Sequence, residues 1–192
     1  MVAELETAIS QRGLLLVHDR ELPSATRVLA GEPIAGPWQD HPAAGDIYGA
    51  LRGLGEDVRR MTLIRGKVTL VHRRLWPSVL GVAIGGERWQ TADLSSDARF
   101  LLRRLRQEGD VMSEDIRLPE GSREQGVVIA DLEKRLLLRR LQAPTEGGKP
   151  VKFLRSWEVT WQDVKPLPAL DGRLKLEAIT ANWGSQPLFP WS

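Results

Sequence analysis

The stretch Met61-Thr62-Leu63-Ile64-Arg65-Gly66-Lys67-Val68-Thr69-Leu70-Val71 holds two β-rich runs joined by two residues. A two-residue connection between strands needs positive φ, which glycine adopts without strain, so Arg65-Gly66 predicts a tight antiparallel hairpin. Before it, Leu5, Ala8 and Ile9 fall at i, i+3, i+4 and predict a short helix closed by Gly13, with the apolar run Leu14-Leu15-Leu16-Val17 following as a buried strand. Pro23 or Ser24 can open a second short helix and Gly31 can end it. Pro33, Gly36, Pro37 and Pro42 then mark a loop that carries Trp38, and a helix is expected over 43–54. After the hairpin, residues 75–84 are almost wholly apolar and place Pro77 where a first helical turn tolerates it; Gly85-Gly86 ends that helix and marks a boundary near 85–95.

The second half repeats the plan. Ser95 or Ser96 can cap a helix in which Ala98, Leu101, Leu102 and Leu105 form the apolar stripe, Arg99, Arg103 and Arg106 lie off it, and Gly109 supplies the stop. Ser113-Glu114-Asp115-Ile116 predicts a capped second short helix ended by Pro119, and a third is expected from 124 or 125 to 138. Two short strands around a Gly/Pro/Lys loop follow, at 138–142 and 151–154. Three helices followed by a strand pair is the order of a winged helix. The fold expected is therefore α+β, as two tandem winged-helix-like units at 1–92 and 93–165, with the Pro- and Trp-containing tail 166–192 wrapped over the body.

The chain has 192 residues, 42% hydrophobic and 27% charged, a globular composition too apolar for disorder. With no Cys there is no disulfide, thiolate nucleophile or Cys-ligated metal, and a reducing cytoplasm is the expected location. The acidic start Val2-Ala3-Glu4-Leu5-Glu6 does not resemble a secretory signal, no apolar run is long enough for a membrane span, and no membrane partner is expected. The net charge is only +2, but it is segregated. Residues 59–74 hold six cations and no acid, and residues 134–155 hold seven cations against Glu146 alone. These segments sum to +12 and the remainder to −10, with Arg outnumbering Lys by 21 to 6. Arg is the better planar fork for phosphate, so the pattern suggests a nucleic-acid binder, against the blander reading of solvated faces on amphipathic elements. Expected contacts are Arg65, Lys67, Arg73 and Arg74 from the first segment and Arg139, Arg140, Lys149 and Lys152 from the second.

The run Leu63-Ile64-Arg65-Gly66-Lys67-Val68-Thr69-Leu70-Val71-His72-Arg73-Arg74-Leu75-Trp76-Pro77, followed by a capped winged-helix-like half, resembles the bacterial winged-helix family related to the alkylpurine DNA glycosylase AlkZ (YcaQ-like). The likeness extends over residues 10–160 in the order of elements. It implies a tandem winged-helix protein that binds duplex DNA, and the glycosylases of that family excise damaged bases. The family's Gln-x-Asp catalytic element has no counterpart in spacing, since Gln39-Asp40, Gln90-Thr91-Ala92-Asp93 and Gln162-Asp163 all differ from it.

Other chemistry is sparse. Neither the phosphate loop Gly-x-x-x-x-Gly-Lys-Ser/Thr nor a Gly-x-Ser-x-Gly elbow occurs, and His18, His41 and His72 lack metal-ligand spacing, so no metal and no cofactor are expected. If the chain is an enzyme, the class is glycosylase-like. Asp40, in Gly36-Pro37-Trp38-Gln39-Asp40-His41, is then the candidate to stabilise a cationic sugar or activate water, with Trp38 exposed for stacking. The plainer reading has Asp40 capping the next helix and Trp38 covering core. Trp76, Trp157 and Trp161 are read as core, where their large apolar area is best used. Duplex DNA is the expected partner, and a protein partner on the same fold is the third reading.

Overall fold

The computed structural model describes residues 1–119, 121, 124–143 and 151–192. Helix α1 (Val2–Arg12) stops at Gly13, whose φ of 82° lets its N–H reach Ile9 O at 2.7 Å. Strand β1 (Leu14–Leu16) follows, then α2 (Ala25–Ala30), α3 (Ala44–Arg52), β2 (Val58–Ile64) and β3 (Lys67–His72). Ser24 caps α2 by accepting the Arg27 N–H, and Gly31 at φ 79° ends it. Between β2 and β3 both turn residues have positive φ, 53° at Arg65 and 64° at Gly66, which is what a two-residue hairpin requires. The strands order β1-β3-β2, all antiparallel, with Leu15 opposite Leu70 and Met61 opposite Thr69. The first unit thus runs helix, strand, two helices and two strands, with the last strand central in the sheet.

The second unit has the same strand order with one α-helix fewer. Leaving aside the short helices α4 (Trp76–Ile84) and α5 (Arg88–Thr91), the order is α6 (Ser96–Glu108), β4 (Asp110–Met112), α7 (Gln125–Lys134), β5 (Leu138–Ala143) and β6 (Val151–Ser156), with strands ordered β4-β6-β5. The molecule is thus α+β. The expected helix after Met112 is only a 3-10 turn, Ser113–Asp115. Its carbonyls are taken by side chains: Gln125 Nε2 donates to Ser113 O at 2.9 Å, Arg104 to Asp115 O at 2.9 Å, and Arg117 to Glu114 O. A carbonyl already bonded sideways does little for a helical ladder.

Three apolar clusters hold the chain. Leu5, Ile9, Ile47, Leu51, Leu15 and Leu70 lie between α1–α3 and one face of the first sheet. Leu14, Leu16, Leu63 and Val71 pack on its other face beneath Val79 and Val82 of α4. Both faces being covered, β1 is continuous leucine rather than alternating. The third cluster joins α6 and α7 to Leu138 and Leu154 of the second sheet.

Residues 169–180, expected as wrapping tail, form helix α8 (Ala169–Thr180), which runs back along α4. A Cβ on Gly81 would lie 2.0 Å from Leu167 O and one on Gly172 would lie 2.5 Å from Ser78 O, so both glycines are needed for this approach. Among the described residues no helix is long and apolar enough to cross a membrane.

Candidate nucleic-acid interface

The first basic segment meets acid as soon as it folds. Asp19 is 3% exposed and accepts the N–H groups of Glu21 and Leu22 at 2.9 and 3.0 Å and Lys67 Nζ at 2.9 Å. Burial alone would push its carboxyl up, but those bonds and the ammonium outweigh burial and hold it at about 2. Arg65 pairs with Glu21 at 3.0 Å and reaches Asp19 at 3.9 Å. The turn itself is stitched to the C-terminal segment, with Arg65 N donating to Leu188 O at 2.7 Å and Arg65 Nη2 to Gln186 O at 3.3 Å. Arg73 pairs with Asp57 at 3.0 Å, and Arg74 donates to Gln11 O at 2.9 Å. Burial, then the cations Arg74 and Arg73 against Asp57, hold the His72 imidazole below its ordinary value. Its Nδ1 accepts the Arg74 N–H at 3.4 Å.

In the second segment Arg139 is 8% exposed, its guanidinium 5.3 Å from the Trp157 ring and 5.1 Å from the Trp161 ring. Burial, reinforced by Arg59 and Arg155, lowers it to about 10, still charged at neutral pH. Trp161 stacks on Trp76 at 5.1 Å, and Arg59 lies 5.0 Å over Trp76, so the aromatic column expected as core carries a cation at each end. Arg155 grips Asp110 with two bonds of 2.7 and 2.6 Å. Arg140 Nε donates to Glu133 at 2.8 Å. Lys152 is exposed and has no ion pair among the described residues; Lys149 lies outside them.

The two segments approach where β2 lies against α7 and the start of β5. Arg139 Nη2 donates to Arg60 O at 3.3 Å across this seam. Beside it runs a groove of 560 Å³ lined by Arg60, Thr62, Val68, Arg140, Gln142 and Lys152, among others, with Glu133 as its acid. By strand alternation Arg140, Gln142 and Lys152 share the face of the second sheet that carries Leu138 and Leu154 beneath the helices. A larger depression of 790 Å³ at α1 is lined by Glu6, Glu56, Asp57 and His72, a set that disfavours phosphate.

The structure therefore brings Arg140, held by Glu133, and Lys152 to the groove together with Arg60, which donates to Leu51 O, and places Arg65, Lys67, Arg73 and Arg74 elsewhere. Arg60, at the exposed position of β2, joins the groove although it was not singled out in the sequence; the outward phase of its strand was the signal available. Asp40 is exposed in a 3-10 turn (Trp38–Asp40) and lines neither cavity. The bond near the start of α3 comes from His41, whose Nδ1 accepts the Ala43 N–H at 3.2 Å, rather than from Asp40. Trp38 is half-buried against the α1–α3 cluster, which corrects the expectation of an exposed aromatic. Among the described residues no three His, Asp or Glu side chains converge to hold an ion. Comparison with family profiles, curated proteins and solved structures finds no match to this chain.

Proposed function

We propose that this chain is a tandem winged-helix nucleic-acid-binding protein that takes duplex DNA along the seam of its two sheets. The observation that carries this reading is the convergence of the two basic segments, which places Arg60, Arg140 and Lys152 on one groove. The duplicated winged-helix order and the resemblance to the AlkZ-related family support it. Contacts of this kind go to phosphates, so they position the protein without reading sequence. The proposal is limited to binding, because Asp40 lies outside the groove that carries it.

Fluorescence anisotropy of a labelled duplex tests it. Each neutralised phosphate releases condensed counterions, so affinity falls steeply between about 50 and 200 mM salt, with a log–log slope of roughly −2 to −3 from the three groove cations alone. Absence of binding at the lower salt overturns the reading. Binding with no salt dependence also overturns it and favours a protein partner.

A further inference from the structure

Six cations of the basic segments, Arg65, Lys67, Arg73, Arg135, Arg140 and Arg155, are answered by acids within ion-pair distance, and helix α6 answers one of its own the same way, Arg104 Nε donating to Glu108 at 2.7 Å. Three arginines on that helix are treated differently. Arg99, Arg103 and Arg106 are all exposed, and none makes an ion pair or hydrogen bond among the described residues. Spaced i, i+4, i+7, they form one stripe opposite the buried Ala98, Leu101, Leu102 and Leu105. The exposed Ser96 and Gln107 add no acid, and the helix's exposed acid, Glu108, is taken by Arg104. Like charges at this spacing repel and weaken a helix. The stripe is thus a concentration of exposed positive charge that a bound polyanion would neutralise.

Its dimensions suit a regular polyanion. From Arg99 to Arg106 the helix advances about 10 Å, close to three phosphate-to-phosphate steps along one strand of a duplex. Helix α6 packs by Leu101 and Leu105 against Leu138 and Leu154, the sheet face that also carries the groove residues Arg140 and Lys152, so the stripe and the groove belong to the same unit.

We propose that Arg99, Arg103 and Arg106 form a second phosphate track for the duplex held at the seam, separate from the groove and contributing affinity without sequence preference. This rests on the DNA-binding reading. The test compares the unmutated chain with R99Q/R103Q/R106Q and with the groove variant R140Q/K152Q, each titrated with a labelled duplex over a salt series. Glutamine keeps helix propensity at exposed sites, so circular dichroism and the unfolding midpoint should not fall for the α6 variant. Its dissociation constant should rise at least tenfold at low salt, and the magnitude of the salt slope should drop by about 2 to 3 units.

If the groove variant weakens and the α6 variant does not, the track is overturned while the DNA-binding reading stands. Failure of the unmutated chain to bind duplex overturns both. Should the α6 variant keep duplex binding but lose adsorption to phosphatidylserine vesicles, or lose self-association in sedimentation, the stripe serves a membrane or a second copy and the track is overturned.

Discussion

Hairpins β2–β3 and β5–β6 hold equivalent places, the last two strands of three-stranded sheets with the same order, and both begin in basic sequence. Their cations meet different surroundings. At the first tip Lys67 and Arg65 close on a buried carboxylate and on carbonyls of the C-terminal segment, whereas Arg140 and Lys152 of the second open onto a groove. What separates the two is the acid each meets: Lys67 and Arg65 close on Asp19, which is 3% exposed, whereas the Glu133 that holds Arg140 itself lines the groove and Lys152 meets no acid among the described residues. Asp19, 48 residues before Lys67, decides the matter for the first wing.

Breaking the first wing should have the largest effect. Asp19→Ala leaves Lys67 and Arg65 facing a vacated buried site and removes two backbone acceptor bonds. A loss of about 3 kcal/mol in denaturant unfolding is expected, with duplex affinity unchanged if the folded fraction is held constant. Loss of binding without loss of stability would reverse the assignment of this wing.

Acid titration sharpens the same point. The Asp19 carboxyl sits at about 2 when folded against an ordinary 3.8, so its contribution is complete above the higher value and disappears as pH falls through the lower. Unfolding followed between these values should lose about 2 kcal/mol in the native chain. Asp19→Asn should flatten that part of the curve.

The second wing gives the complementary result. R140Q/K152Q should weaken duplex binding about tenfold, close to 1.4 kcal/mol, and reduce the salt slope by one to two units. Its unfolding midpoint should stay near the native value because exposed ion pairs contribute little. A fall in stability with intact binding would make the two wings alike.

The smallest effect is expected at Asp40. Asp40→Asn changes an exposed turn residue that lies in neither wing, so stability should stay within about 0.5 kcal/mol and duplex affinity should not move. Release of free base from alkylated duplex by the native chain, abolished in this variant, would restore the enzymic reading.

Local signals made much of the architecture legible. Arg65-Gly66 specified its turn, Ser24 and Ser95 specified helix starts, and the stripe of α6 appeared at its helical spacing. Helix α8 was not legible because its buried face is built around Gly172, with Leu170 and Leu174 left exposed, so apolarity does not mark the packed side. The helix after Met112 was overpredicted because Gln125, Arg104 and Arg117, distant or long-reaching, take its carbonyls. For the interface, the clusters of charge were visible but their compensation was not. Pairing of Arg155 with Asp110 or Lys67 with Asp19 depends on tertiary approach, which charge counts along a sequence do not contain.

The α4–α8 crossing also bears on how the chain is made. The layer that covers Leu14, Leu16, Leu63 and Val71 includes Leu136, Trp157, Leu176 and Phe189, so the earliest strands are sealed by the latest residues. During translation the second unit has to emerge before that layer can close. At about 5–20 residues per second, the ribosome needs roughly 5 to 20 s to travel from the end of α4 to Phe189. For that interval a leucine-rich sheet face is incompletely covered on the nascent chain, and it is the surface a co-translational chaperone would meet first.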